Sequence, residues 1–283
     1  NCLARHSADS CIFPISGSGV HTVTEPSRTA IAVLTEILSG NPQDMRSRWL
    51  LNLAYMTVGE YPVKVPQRWL ISPHIFDSEH DIKRFSDIAG ALAVDTLGLA
   101  GGCCIEDFDS DGDLDIVVSS WGLKDQLRFL RNNGDGTFSN RTREAGLIGQ
   151  TGGLNICHAD YDNDGHADIL ILRGGWLREY GRHPNSLLHN KGDATFDDVT
   201  EKAGLLSFYP TQTAAWGDFD NDSWLDLFIG NEQRAGEKYA SQLFHNDGDG
   251  TFSDWAAASG LADIGYVKGV AWGDYDNDGL SDL

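Results

Sequence analysis

The feature that most constrains this chain is a nine-residue, aspartate-rich loop that occurs four times along its 283 residues. Each copy has the pattern D-x-D-x-D-(G/S)-x-x-D, and the copies span residues 107–115, 160–168, 218–226 and 274–282. The closing aspartates of the first three copies lead into short apolar runs, Ile-Val-Val, Ile-Leu-Ile-Leu and Leu-Phe-Ile. Such runs predict strands next to each loop. The chain is therefore expected to repeat one β unit several times.

The carboxylates of each copy are spaced so that they can converge on one cation. Aspartates at positions 1, 3, 5 and 9 supply oxygen ligands, a small residue at position 6 permits the sharp turn, and position 7 offers its backbone carbonyl. Flexible, all-oxygen coordination favours Ca²⁺ over Mg²⁺, so we predict four Ca²⁺ sites, one for each copy. The predicted carboxylate ligands are Asp107, Asp109, Asp111, Asp115, Asp160, Asp162, Asp164, Asp168, Asp218, Asp220, Asp222, Asp226, Asp274, Asp276, Asp278 and Asp282. The predicted ligands at position 7 are Asp113, His166, Trp224 and Leu280.

Two other interpretations of the loops are weaker. A single copy could be a solvated acidic turn, since Asp and Gly both favour turns. Four copies argue against this, because each would hold four like charges within a few ångströms of one another. An EF-hand needs a bidentate Glu at position 12 and helical flanks. The first copy has Val118 at that position, and its flanks predict strands.

The net charge excludes one class of partner. The formal charge is −21 and no basic stripe is present, so nucleic acid is not expected to bind. Sixteen of the 42 acidic residues are predicted carboxylate ligands, and four Ca²⁺ ions would bring the charge to −13. No apolar run is long enough to span a membrane, so no transmembrane segment is predicted. Cys2 and Cys11 could close a disulfide in an exported protein.

A second repeated element follows each of the first three loops. It reads Asn-x-Gly-Asp-(Gly/Ala)-Thr-Phe and ends at Phe138, Phe196 and Phe252. Gly-Asp-Gly between apolar residues predicts a hairpin, although Ala194 departs from that pattern. Each of these phenylalanines, and Phe85 as the start of a weaker first copy, precedes the next loop by 22 residues. One unit thus contains four short strands, and such units repeating every 50 to 60 residues predict the blades of a β-propeller.

Variation in repeat length falls in the connection between the second and third strands. The closing aspartate precedes Arg131, His189 and His245, which we interpret as structural residues, by 16, 21 and 19 residues. The variable connections are residues 119–126, 173–186 and 231–241, and insertions on one face of a repeat protein often form its binding surface. They carry Trp121, Lys124, Trp176, Arg178, Tyr180, Arg182, His183, Arg234 and Tyr239. These side chains either anchor a protein or glycan partner or pack onto their own blades.

Helical periodicity precedes the β repeats. Ile31, Leu34 and Leu38 have helical spacing between residues 27 and 40, and Asn41-Pro42 ends this pattern. A second helix is predicted from Met45 to about Gly59, which completes an αα-hairpin. The predicted domains are residues 1–68, with the hairpin, and residues 69–283, with the propeller blades.

These motifs resemble a known family. The aspartate loops, the Asn-Gly-Asp-Gly-Thr-Phe turns and the Ala-Gly-Leu endings resemble FG-GAP/VCBS repeats of the CRTAC1/ASPIC–UnbV type. That resemblance implies a mainly β, integrin-α-like propeller of seven blades when complete, with about four represented here. It also implies a tetratricopeptide-like identity for the helical hairpin. Ser223 departs from the family's glycine, and the chain stops at Leu283, one residue after the last ligand, so we expect a piece of a longer protein.

The expected function is a secreted calcium-binding module, extracellular or periplasmic, that binds a protein or glycan while Ca²⁺ plays a structural role. The alternative is a propeller-based enzyme with its active site in the central channel. His158 and Glu106, both close to predicted inner strands, are the candidate groups for that alternative.

Overall fold

A computed structural model describes residues 12–77, 85–177, 180–233 and 236–283. The chain divides into two compact units, residues 1–86 and 87–283. The domain limits predicted from the sequence, 1–68 and 69–283, differ from this division and stay a prediction. Cys2 and Cys11, and with them the predicted disulfide, lie outside the described residues.

The first unit contains the helical pair that the apolar spacing predicts. Helix α1 spans Glu25–Gly40 and helix α2 spans Met45–Thr57, and the two helices contact each other. Asp44 caps α2, because its carboxylate accepts hydrogen bonds from the backbone N–H groups of Arg46 and Ser47 at 3.1 and 3.2 Å. Short 3₁₀ turns occupy Gly17–Gly19, Gln67–Trp69 and Pro73–Phe76. The tetratricopeptide-like identity of the pair stays a prediction.

In its described part, the second unit is mainly β and contains three four-stranded antiparallel sheets. The first sheet consists of β1 (Cys103–Glu106), β2 (Asp115–Val118), β3 (Arg128–Asn132) and β4 (Phe138–Asn140). The second consists of β5 (Asn155–Ala159), β6 (Asp168–Leu172), β7 (Ser186–Asn190) and β8 (Phe196–Asp198). The third consists of β9 (Thr211–Gly217), β10 (Asp226–Asn231), β11 (Gln242–Asn246) and β12 (Phe252–Asp254). Short helices α3 and α4 span Ala89–Leu92 and Ala256–Ser259.

Neighbouring sheets share their buried side chains. The ring centroid of Phe108, which follows β1, lies 5.9 Å from that of Phe196 in the second sheet. The ring centroid of Tyr161 lies 5.7 Å from that of Phe252 in the third sheet. The backbone N–H of Phe196 also donates to the carbonyl of Ala145, in the Ala-Gly-Leu segment of the preceding repeat, at 3.0 Å. The first strands contact one another in order, β1 with β5 and β5 with β9. Each repeat therefore closes its core against the next one, as expected of a repeat protein.

Of the roughly four blades expected from the sequence, the described residues contain three as complete four-stranded sheets. The fourth aspartate loop is flanked by a single bridge, between Gly273 and Asp282, and no sheet forms around it. The physical reason is that the sequence has four aspartate loops but only three Gly-Asp-(Gly/Ala) turns, so this loop has no third and fourth strands to pair with. Phe85, aligned by spacing with the turn phenylalanines, is 95% exposed and lies in no strand. None of the described helices is both long and apolar enough to cross a membrane.

Candidate metal centres

The first aspartate of every loop holds the loop in the same shape. Asp107 accepts the backbone N–H groups of Asp111 at 3.1 Å and Gly112 at 2.9 Å, one on each carboxylate oxygen. Asp160, Asp218 and Asp274 accept the corresponding two N–H groups at 2.9–3.1 Å. Ser223, at position 6 of the third loop, has φ 77°, close to the 91° of Gly112. The serine therefore adopts the left-handed turn that glycine adopts more easily, without loss of a ligand.

The closing aspartate of each of the first three loops is buried. Asp115, Asp168 and Asp226 are at most 1% exposed. Asp115 accepts the N–H of Phe108 at 3.3 Å and the N–H of Asn132, in the third strand, at 2.7 Å. The same two hydrogen bonds recur at Asp168 and Asp226. This residue thus joins the loop to the sheet that carries it.

Burial of these carboxylates has an electrostatic consequence. Burial is the main cause that raises the pKa of Asp168 to about 8, and the charge of Asp162 adds to it, while the hydrogen bond from the Asn190 N–H partly offsets it. Burial likewise raises the pKa of Asp115 to about 6. The pKa of Asp226 is raised for the same principal reason. A cation among these groups would favour their ionised form.

Two of the four aspartates at position 3 leave an oxygen atom without a partner. Oδ1 of Asp109 and Oδ1 of Asp162 are both buried, and neither accepts a hydrogen bond. Unsatisfied buried oxygens are rare in folded proteins, and a bound ion is one of the explanations for them. Within each of the first three loops, three carboxylates place oxygen atoms within 4.8 Å of one another. The groups are Asp107–Asp109–Asp115, Asp160–Asp162–Asp164 and Asp218–Asp220–Asp226. The donor set of these loops therefore fits a hard divalent cation.

The residues at position 7 have a visible packing role. The backbone N–H of His166 donates to Asp164 at 2.9 Å, and that of Trp224 donates to Asp222 at 2.8 Å. The His166 ring fills the space beside Gly192, where a Cβ would lie 2.4 Å from Nε2. Asp113 and Leu280 donate in the same way to the aspartates at position 5 of their loops. Ligation through the carbonyl groups at this position stays a prediction.

A basic residue of the third strand reaches into its own loop in each sheet. Arg131 forms ion pairs with Asp109 and Asp111, the latter at 2.8 Å. His189 Nδ1 lies 3.3 Å from Asp162 Oδ2 and 3.2 Å from Asp168 Oδ1, and His245 Nε2 lies 3.1 Å from Asp220 Oδ2. The interpretation of these positions as merely structural missed this contact with the acidic groups. Their constant place, one residue before the turn asparagine, is the signal that could have revealed it.

The turn asparagine links neighbouring repeats, which sequence reasoning also missed. Asn190 Nδ2 donates to the carbonyl of Phe108, in the first loop, at 2.9 Å. Asn246 Nδ2 donates to the carbonyl of Tyr161, in the second loop, at 2.8 Å. Both asparagines are at most 1% exposed. The first and second loops are thus each fixed by their own sheet and by the sheet that follows.

The variable connections contain packed as well as exposed side chains. Trp121 Nε1 donates to the carbonyl of Gly175 at 3.1 Å, which joins the first two connections. Tyr239 is 6% exposed and its ring lies 5.2 Å from that of Tyr209. Arg173 is 7% exposed. Lys124 and Arg182 are exposed and His183 is half-buried, while Arg178 and Arg234 lie outside the described residues.

Aromatic side chains nevertheless project from these connections. Trp176 is 60% exposed and Tyr180 is 70% exposed. The Trp176 backbone N–H donates to the carboxylate of Glu232, in the third connection, at 2.8 Å. Lys268 pairs with Glu232, and its Nζ lies 5.6 Å from the ring centroids of both Trp176 and Tyr266. The result is an aromatic surface with a carboxylate and an ammonium group between the second and third connections.

The two candidate catalytic groups contact each other across a sheet interface. His158 Nε2 lies 3.3 Å from Glu106 Oε2, and the imidazole packs edge-on against Phe108 at 6.3 Å. The corresponding pair between later repeats is Gly217 and Trp272, where a Cβ on the glycine would lie 2.7 Å from the indole. A small residue beside Trp is thus replaced by Glu beside His. This exchange accounts for the pair as interface packing, and an enzyme activity stays the alternative expectation.

Comparisons with known proteins agree with the repeat pattern. Residues 107–171 and 218–283 match the family model described as FG-GAP-like repeat. The chain is 27% identical over 244 residues to cartilage acidic protein 1 of Homo sapiens, and this alignment covers 84% of the chain and 35% of that protein. It is 26% identical over 243 residues to the Mus musculus protein of the same name, with coverage of 84% and 35%. Against the Xenopus tropicalis protein it is 30% identical over 161 residues, or 54% of the chain and 24% of that relative.

These matches support the FG-GAP repeat assignment and the similarity to cartilage acidic protein 1. The chain spans about a third of the length of the first two relatives.

Proposed function

We propose that this chain is a calcium-stabilised β-propeller module that works outside the cytoplasm and binds a protein or glycan. Ca²⁺ has a structural role in this proposal, and the variable connections carry the binding surface. Extracellular modules bind Ca²⁺ with dissociation constants of about 10⁻⁴–10⁻³ M, which suits extracellular calcium concentrations. The FG-GAP repeats and the similarity to cartilage acidic protein 1 are consistent with an adhesion-type module.

The observation that carries the calcium proposal is the pair of orphaned oxygens. Asp109 Oδ1 and Asp162 Oδ1 are buried beside other carboxylates and have no hydrogen-bond donor. Leaving such oxygens unpaired is costly, and adjacent negative charges increase the cost. Bound Ca²⁺ would supply the positive charge that these oxygens lack. Asp107, Asp109, Asp111 and Asp115 would hold it in the first loop, with the equivalent aspartates in the other loops.

The proposed structural role of Ca²⁺ is supported by the hydrogen bonds that join the loops to the sheets. Asp168 accepts N–H groups from the loop and from β7, so it couples the cation site to the second sheet. Asn190 couples the first loop to that same sheet. Ordering one loop therefore orders the contact between two repeats. The contacts of β1 with β5 and of β5 with β9 support an arrangement in which first strands surround a common axis, as in propeller blades.

Calcium titration by isothermal titration calorimetry tests this proposal. We expect binding of more than one Ca²⁺ per chain, and Asp162→Asn should remove one site because it alters a ligand in the second loop. The matched control is Asp197→Asn, which neutralises an exposed aspartate paired with Lys191 and should leave the stoichiometry unchanged. A chain that takes up no Ca²⁺ would show that the calcium proposal is wrong.

The aromatic surface around Trp176 supports the binding role. Exposed Trp side chains contribute strongly to interfaces, and here Glu232 fixes the backbone while Lys268 lies near the ring. We expect Trp176→Ala to weaken binding to glycan arrays or cell-surface proteins by at least about tenfold. Tyr275→Ala is the control, since Tyr275 is 92% exposed but belongs to the fourth aspartate loop. Equal losses in both variants, or no binding by the unaltered chain, would argue against this surface.

A further inference from the structure

Three equivalent third-strand residues contact the acidic loops, but they differ in chemistry. Arg131 donates from Nε to Asp109 Oδ2 and from Nη2 to Asp111 Oδ2, the second at 2.8 Å. One guanidinium thus bridges the carboxylates at positions 3 and 5 of the first loop. His189 and His245 hold the corresponding place at the second and third loops.

A guanidinium and an imidazole affect a calcium site differently. Arginine remains charged under all ordinary conditions and has five donors but no acceptor. It can only compete with a cation for the carboxylate oxygens. An imidazole, in contrast, has a ring nitrogen that can accept a hydrogen bond or join a cation's ligands. The first loop therefore contains a guanidinium that cannot ligate a cation, whereas the second and third loops have an imidazole at the same place.

The first two loops differ in where their charges lie and not in their formal net charge. The first loop has five aspartates, because Asp113 stands at position 7, and with Arg131 its formal charge is −4. The second loop has four aspartates and the same formal charge. Asp113 lies beside the turn, where a Cβ on Gly134 would be 2.9 Å from its Oδ2. Arg131, in contrast, occupies one oxygen of each of two predicted ligands.

We propose that Arg131 is the internal counter-ion of the first aspartate loop, so that this loop binds Ca²⁺ more weakly than the second loop. The inference rests on the proposed calcium function. Its physical basis is that Ca²⁺ entering the loop must displace the guanidinium from Asp109 and Asp111 or remain close to it, and both are unfavourable for like charges at such distances.

The backbone amide at position 6 gives a reporter for each loop. Gly112, Gly165 and Gly279 donate to the first aspartates of the first, second and fourth loops at 2.9, 2.9 and 3.0 Å. Their signals can be followed in ¹⁵N-glycine-labelled full chain during titration with CaCl₂. The Gly112 signal is assigned by its loss in Gly112→Ser, which introduces the residue that the third loop has at this position.

In the unaltered chain we expect the Gly112 signal to respond at a calcium concentration about tenfold or more above that for Gly165. Arg131→His introduces the residue of the other two loops and should lower the Gly112 midpoint by about tenfold, leaving Gly165 unchanged. Arg141→Gln is the control, since it removes an exposed arginine paired with Glu144 and should shift neither midpoint. Circular dichroism confirms that each variant is folded.

The possible results separate this inference from the proposed function. If Gly165 responds to calcium but Gly112 responds at the same or a lower concentration, the inference is overturned and the calcium function stands. A Gly112 midpoint that is unchanged or raised in Arg131→His overturns it as well, because Arg131 would then have no effect on calcium binding or would strengthen it. If neither glycine responds to calcium, both the inference and the proposed calcium function are wrong.

Discussion

Chelation of calcium is expected to lower the midpoint of thermal unfolding of the second unit by roughly 5–10 °C for each site emptied. A site held at about 100 times its dissociation constant stabilises the native state by about 2.7 kcal/mol. In a unit of this size, 1 kcal/mol shifts the midpoint by about 2–4 °C. Tryptophan fluorescence in excess CaCl₂ and in excess EGTA measures the effect, because six of the eight tryptophans lie after residue 87.

The matched variants separate bound calcium from a general change of charge. Combining Asp109→Asn, Asp162→Asn and Asp220→Asn should remove most of the difference between the two melts, since one proposed ligand is altered in each of three loops. Combining Asp135→Asn, Asp193→Asn and Asp249→Asn neutralises three exposed turn aspartates that accept hydrogen bonds from threonines, and it should preserve the difference. An identical midpoint with and without EGTA in the unaltered chain would contradict a structural role for calcium.

The repeated elements could be predicted because their causes are local. The apolar run after Asp168 and the turn before Phe196 each specify their own strand or hairpin. Constant spacing then places these elements in the same order three times, and the structure has them as four-stranded sheets. The four-stranded repeat is thereby confirmed, while closure into a propeller stays a proposal.

Contacts between repeats could not be predicted in the same way. The bond from Asn190 to Phe108 joins residues 82 positions apart, and nothing in either local sequence names the partner. The approach of Arg131 to Asp109 likewise depends on the register between β2 and β3, which fixes how far the third strand extends past the loop. The fourth loop shows the converse. Its sequence matches the others, but without a paired sheet its four aspartates remain exposed.

Asn190→Ala is expected to destabilise the second unit by about 2–3 kcal/mol, because it removes a fully buried side chain whose amide joins two repeats. Asn190 Nδ2 donates to the carbonyl groups of Phe108 at 2.9 Å and Ala167 at 3.2 Å. The substitution leaves both carbonyls without this donor, and the bond to Phe108 is buried. Urea unfolding followed by tryptophan fluorescence gives the free energy of unfolding.

Asn132→Ala is the matched control for this change. Asn132 has the same position in the first sheet, where its amide donates to Leu114 within the repeat at 3.1 Å. It is only half-buried, so its substitution should cost about 1 kcal/mol or less. The difference between the two variants measures the bond from Asn190 to Phe108 together with the deeper burial of Asn190. Equal losses would mean that this bond adds nothing to the contact between repeats, and that the shared aromatic core alone holds neighbouring sheets together.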